Sequence, residues 1–440
     1  MNFRLPAPAI LALGLPLASF HAADWPRFLG PTHDACSTET GLRHDFPETG
    51  LPIVWELPHG RSHSAPVMAH GHLVFIHLVE DEEVIQCHDP ASGRLIWKHA
   101  YPVAAGASYG NPDAPRCGPV IDPSRDLVFT VGLAGDLLCL RLKSGELVWQ
   151  RQLDADFGKA PFFFARGSCP LLWKDQLILN SGGRACVISL DPLTGKTRWE
   201  APHEWQASYA SPIPASFHGR EALLVFAGGM GNPPTGGLLI LDPQDGTLRG
   251  SFPWRARIFT SVIAASPVVS GNGVFITEGY DRGGAFLDIT PELTPKLRWE
   301  SDAFACQFST PVSHEGHLYG FTGTSDSGAE LVCFEAATGA EKWRWGQPLE
   351  VMAGGRPSRA LLGRGSLLRV DGAFLALGEQ GTLAWLDLSP TGVTVRSATQ
   401  LFSAPETFGT PTLSDGRLYV VQNAGESRLL CYDLRQNPGR

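Results

Sequence analysis

The sequence predicts an all-β fold, an eight-bladed β-propeller of four-stranded antiparallel blades. Its ring is closed by pairing an N-terminal strand with the C-terminal blade. Three observations lead there. A turn followed by an aromatic recurs: Asp89-Pro-Ala-Ser-Gly93 leads to Trp97, Lys143-Ser-Gly145 to Trp149, Asp191-Pro-Leu-Thr-Gly195 to Trp199 and Ala337-Thr-Gly339 to Trp343. The Trp always falls four residues after the Gly. A proline flanked by Ser, Thr or Cys opens an apolar run ahead of nearly every such turn, at Pro66, Pro119, Pro170, Pro212, Pro267, Pro311 and Pro411. The composition agrees: 49 Gly and 35 Pro among 440 residues suit many short strands joined by turns. Self-similarity at a period of about fifty residues is the signature of propeller blades.

Each unit divides into four strands. The proline opens the first strand, on the inner edge, where its missing N–H leaves no ladder partner unsatisfied. A short turn such as Asn272-Gly273 or Asp415-Gly416 returns a second apolar strand, the pattern of a hairpin. A third strand ends at the Asp, and the Trp belongs to the fourth. The Trp series runs Trp55, Trp97, Trp149, Trp199, Gly250 by alignment, Trp299, Trp343 and Arg396 by alignment. These tryptophans are read as blade-docking residues. The unit from Thr410 has three strands and no Trp of its own, whereas Trp55 has no blade of its own. Joining the two completes the eighth blade and removes the open sheet edges. A seven-bladed ring would require merging the unit around residues 366–400. The fourth and seventh units lack their Trp, and the fifth carries an insertion at Thr290–Pro295. Faster hydrogen exchange is therefore expected in the fourth and seventh blades.

Residues 1–23 read as an export signal, residues 24–50 as an extended segment, and residues 51–440 as the propeller. Arg4 precedes an apolar run from Ala9 to Ala18 that is too short to span a bilayer, and cleavage is expected after Ala22 or Ala23. Phe20 or His21 at the −3 position departs from the small-residue rule. No Cys follows the apolar run closely, so no lipid anchor is indicated, and no later stretch is apolar enough for a transmembrane segment. A net charge of −9 without a basic cluster argues against nucleic acid as a partner. Of the nine Cys, Cys87, Cys139 and Cys333 occupy one equivalent position per repeat and read as small core residues. Cys117 and Cys169 open consecutive repeats and could pair. Glu80-Asp81-Glu82-Glu83 reads as a solvated acidic turn. The loop carboxylates Asp113, Asp154, Asp156, Glu278 and Asp281 read as solvated charges, and no spacing indicates a metal site. Gly228-Gly-Met-Gly231 lies between strands, which excludes a nucleotide loop.

The repeated Asp-x-x-Thr/Ser-Gly-x-x-x-Trp resembles the pyrroloquinoline-quinone (PQQ) repeat family of eight-bladed propellers, and the resemblance spans residues 51–440. That family includes the quinoprotein alcohol dehydrogenases and BamB, the outer-membrane-protein assembly factor. The leader Asp24-Trp-Pro-Arg-Phe-Leu-Gly-Pro31 is similar to the segment preceding the first repeats in many exported members. In the enzymes PQQ lies in the central funnel beneath a disulfide of adjacent cysteines, with calcium held by carboxylate and amide ligands. This sequence has no Cys-Cys pair and no matching ligand set. The resemblance thus implies a non-enzymatic, BamB-like binding or assembly scaffold in the bacterial cell envelope, periplasmic or secreted, monomeric and without a cofactor. The alternative is a PQQ-dependent oxidoreductase using the funnel with Ca2+.

Two classes of connection separate the faces of the ring. The turn between first and second strands is short, as is the Thr-Gly turn. The connections on the opposite face vary: 99–116, 151–168, 228–237, 278–284 and 344–365. Binding residues concentrate on variable loops of a rigid scaffold, so a protein partner or a small ligand is expected on that face. Residues just before the repeat prolines should ring the funnel mouth: His63, Arg116, Tyr209, Phe308 and Phe408, with Arg166 one position earlier. Of these, His63, Arg116, Arg166 and Tyr209 are the candidate ligand-binding set, able to hold an anionic group by charge-assisted hydrogen bonds.

Overall fold

The computed structural model describes residues 23–103, 114–230, 233–258, 261–324, 328–353, 355–423 and 427–436. Residues 1–22 of the export signal, Asp113 and Gly231 lie outside the described residues. Eight four-stranded antiparallel sheets form the eight blades of the ring. The first blade comprises Val67–Ala69, His72–Val79, Glu82–His88 and Leu95–Pro102. The eighth comprises Thr412–Ser414, Arg417–Gln422 and Arg428–Asp433, with Ile53–Pro58 supplied from the N-terminal end as its outer strand. The ring therefore closes as expected. An additional hairpin, Leu349–Ala353 with Arg356–Ala360, sits between the sixth and seventh blades. Among the described residues no helix is long and apolar enough to cross a membrane.

Local chemistry explains the repeat. Several of the short turns place both central residues at positive φ, as at Asp415 and Gly416 (52° and 62°), which matches the twist of the flanking strands. At the outer turn, the Asp191 carboxylate accepts from the amides of Leu193 and Thr194, both at 3.0 Å. Gly195 then sits at φ 66°, where an added Cβ would stand 2.8 Å from the Trp149 ring of the preceding blade. Gly93 against Trp55, Gly145 against Trp97, Gly246 against Trp199 and Gly339 against Trp299 repeat this contact at 2.5–2.9 Å. A bulge between third and fourth strands accompanies each Trp, for instance between Cys87 and His88 where Cys87 faces Trp97.

Each Trp also donates its indole N–H forward to the next blade. Trp97 reaches the Leu142 carbonyl at 2.7 Å, Trp149 that of Pro192 at 2.9 Å, Trp299 that of Ala336 at 2.9 Å and Trp343 that of Ser389 at 2.7 Å. Trp55 joins the eighth blade to the first through the Pro90 carbonyl at 3.0 Å. Trp199 instead donates to Gln176, whose amide relays the bond to the Pro243 carbonyl. All six tryptophans thus contact the following blade.

Where the Trp is missing, other groups take its place. A Cβ on Gly250 would stand 2.6 Å from the Leu293 carbonyl and 2.7 Å from Pro295, so the insertion in the fifth blade fills the gap left in the fourth. Leu293 is buried. At the seventh blade, His44 of the N-terminal segment stacks on Trp385 at 4.3 Å and contacts Arg396, the residue aligned with the absent Trp. Both substitutes come from other parts of the chain.

The extended segment crosses the short-turn end of the ring. Trp25 exchanges two backbone bonds of 2.8 Å with Met68, and Pro26 accepts from Ile121. Further on, Ala35 and Ser37 bracket Arg369, and Arg43 donates to the Leu434 carbonyl. The fully buried Glu39 carboxylate accepts from Ala23 and Gly416, both at 3.0 Å. The segment thus binds the first, second, seventh and eighth blades and caps one end of the axis.

Candidate functional site

The sequence-predicted mouth residues converge on the axis, but they are occupied with one another. The His63 ring meets Phe408 edge-on at 5.4 Å, and Phe408 meets Phe308 at 5.1 Å. Arg364 lies over both phenyl rings, at 5.4 and 5.5 Å, and ties Glu379, Gln307 and Glu406 together. Arg116 lies over Phe164 and donates to the Ala114 carbonyl at 2.9 Å. Burial, with the Arg116 charge adding to it, pulls the His63 imidazole down to about 4. Arg364 escaped the sequence reading because its unit lacks the marker proline.

Arg166 and Tyr209 hold a loop. Arg166 pairs with Asp154, donates to the Ser181 carbonyl at 2.7 Å and covers Phe162. The Tyr209 hydroxyl accepts from the amides of Phe163 and Phe164 at 3.1 and 2.9 Å, and burial raises its pKa. Together they pin the segment around 162–166 over the mouth. Below the throat remains a cavity of about 40 Å³ between His63, Arg116 and Phe408 on one side and Trp25, Arg27 and Phe28 on the other. Small-molecule pockets run to roughly 300 Å³ or more, so the described residues of the axis do not fit PQQ, a three-ring tricarboxylate.

Several loop residues read as solvated are buried. Glu83 is 0% exposed, accepting from the Leu133 amide and the Tyr101 hydroxyl, both at 2.8 Å. Burial pushes its carboxyl up to about 7 despite those two bonds. Glu278 is also buried, bound to Arg255, Ser261 and the Ala256 amide, which fixes the loop after the fourth blade. Asp154 and Asp156 pair with Arg166 and Arg151. Asp281 remains exposed. Cys117 and Cys169 are free thiols: Cys117 donates to the Ser168 carbonyl at 3.3 Å, and Cys169 accepts from the Gly118 amide at 3.1 Å. Among the described residues no group of three His, Cys, Asp or Glu could hold a metal ion.

The variable face carries a second, larger depression. A cleft of about 1180 Å³ opens between the fourth and fifth blades. Its walls come from His203–Trp205, Pro234–Gly236, Pro253–Ile258 and Tyr280–Arg282. Two of the connections singled out in the sequence, 228–237 and 278–284, therefore contribute. Arg282 lies 4.0 Å above the Trp254 ring, and Glu300 accepts from both side chains. Ile258 is 45% exposed at the edge, beside the exposed Arg257. Tyr280 and Asp281 both hold positive φ, 60° and 59°, at the tip of the opposite wall. In the sequence Trp254 stands four residues beyond Gly250, out of register with the repeat tryptophans.

Ring, repeat and closure define a PQQ-repeat β-propeller. Residues 80–345 and 292–438 match the family model described as outer membrane protein assembly factor BamB, and the chain belongs to that family. No curated protein matches it in sequence. Among solved structures it is similar to BamB from Moraxella catarrhalis, at 14% identity over 89% of this chain and 99% of that one, with a TM-score of 0.58. A europium-containing methanol dehydrogenase aligns at 11% identity over 93% and 98%, with a TM-score of 0.65. The quinohemoprotein alcohol dehydrogenase of Comamonas testosteroni aligns at 12% over 94% and 81%, with a TM-score of 0.50. At such identities the likeness is one of fold.

Proposed function

We propose that this chain is an exported, non-enzymatic scaffold of the bacterial cell envelope that docks a protein partner in the cleft between its fourth and fifth blades. The carrying observation is the contrast between the two depressions. Among the described residues the axis is crowded by side chains packed on one another, with room only for a small cavity, whereas the rim cleft is wide, open and built from loops of the variable face. Its Arg282, stacked on the buried Trp254, and the exposed Ile258 are of the kind that anchors protein interfaces: a pre-positioned guanidinium and an aliphatic side chain. The BamB family match supports an assembly role in the envelope. No cofactor is assigned under this reading.

A photo-crosslinking residue at Ile258 tests the proposal, with one at the exposed Gln244 on the short-turn face as control. Crosslinks from position 258 alone to a component of an outer-membrane assembly machinery are expected. Equal crosslinking from both positions would refute the cleft. Stoichiometric PQQ uptake with Ca2+ and turnover of an alcohol or sugar would refute the non-enzymatic reading.

A further inference from the structure

The small axial cavity has a charge imbalance. Arg27, from the N-terminal segment, is mostly buried there, and its contacts are neutral: the His33 imidazole at 3.1 Å and the Leu172 carbonyl at 3.3 Å. His33 is itself pulled down to about 3 by burial and the Arg27 charge, so it stays an uncharged acceptor. Among the described residues no carboxylate pairs with Arg27. Asp122, the acidic group that acts on it from a distance, is bound to Arg125 at 2.5 Å. Two buried nitrogens at the cavity lack a partner, Arg27 Nε and His63 Nδ1. No carboxylate of the described residues lines the cavity.

We propose that a single monovalent anion of chloride size binds in this cavity, accepting from Arg27 Nε and from His63 in its Nδ1–H tautomer. A water would complete the hydrogen bonds but leave the guanidinium charge uncompensated, and burying a cation without a counter-charge is costly. The space of about 40 Å³ holds roughly one to three water-sized spheres. Phosphate, with five heavy atoms, is too large for it, walled as it is by Trp25, Phe28 and Phe408. The anion would clip the N-terminal segment, through Arg27, to the throat of the propeller, through His63. It is independent of any docking at the rim cleft.

Thermal unfolding of the whole protein in chloride, bromide and gluconate at equal ionic strength is the test, with bromide located by anomalous scattering in crystals. Chloride and bromide should raise Tm saturably by about 2–5 °C over gluconate. A bromide peak should lie between Arg27 Nε and His63 Nδ1. In Arg27→Gln the difference between salts should vanish, whatever the variant's absolute stability. A Tm that follows ionic strength alone would overturn the proposal, as would a water in place of the bromide. So would a bromide peak without any salt-specific gain, which marks an adventitious ion only.

Discussion

Replacing Glu83 by Gln should make the protein more stable at pH 8 and leave it no more stable at pH 4.5. The carboxyl is fully buried between the Leu133 amide and the Tyr101 hydroxyl, and burial outweighs both bonds in setting its pKa, with Asp136 adding to the rise. Its folded pKa of about 7 stands above the ordinary 4.5, so the folded protein binds the proton more tightly than the unfolded chain does. Stability therefore falls as pH rises from about 4.5 to 7 and stays reduced above that. At about 1.4 kcal/mol per decade, the penalty reaches about 3 kcal/mol. Glutamine has the same shape and no charge. Its Oε1 can accept from Leu133, and its amide can donate to Tyr101, whose hydroxyl then turns to accept. Urea unfolding followed by Trp fluorescence at pH 4.5, 6, 7 and 8 reads the difference directly. The gain of Glu83→Gln should grow across that window towards about 3 kcal/mol. A difference independent of pH would refute the reasoning, because it would mean that Glu83 does not change charge there.

Further outcomes follow from the docking device. Gly145→Ala, at φ 71° with a Cβ 2.6 Å from the Trp97 ring, should cost about 2–4 kcal/mol in thermal unfolding, combining backbone strain and overpacking. Gly328→Ala, at φ 74° with open space around it, should cost only about 1–2 kcal/mol. Gly250→Trp restores the repeat consensus, yet it should lower Tm by the equivalent of about 1–3 kcal/mol, because the Leu293–Pro295 turn already fills the site. Hydrogen exchange in the outer strand of the fourth blade, Leu248–Pro253, should then be no faster than in Thr197–Ala201 of the third. Ile258→Asp should reduce partner binding at least tenfold while leaving Tm within about 1 °C, since the side chain is half exposed.

The sequence disclosed what repeats. Turn chemistry at Asp191 and Gly195 and the spacing to Trp199 are local properties, and together with the unmatched Trp55 they predicted the blade count and the closure. What it concealed depends on residues far apart in the chain. Glu83 looks like the last residue of an acidic turn, and only the close approach of Gly132 in the next blade buries it. The vacancy at Gly250 and the insertion at Thr290–Pro295 were both visible, but that one fills the other needs the geometry of adjacent blades. The axial positions of His63 and Arg116 were legible from their offset to the repeat prolines. Those of Phe308 and Phe408 were legible in the same way, but that Arg364 would stack on both was not, because its unit lacks the marker proline. The rim cleft was anticipated only as a face, through the lengths of its loops.

Closing the eighth blade with Ile53–Pro58 imposes an order on folding. The first propeller strand to leave a ribosome or a translocase must wait for the last three, and residues 42–44 wait with it for Leu434 and Asp371. Until then the outer strand is single and both ends of the sheet stack are open. A chain shortened before Arg428 would keep those edges permanently. The ring is thus a length gauge: only a fully delivered chain can hide its own edges from the chaperones and proteases that survey the compartment in which it folds.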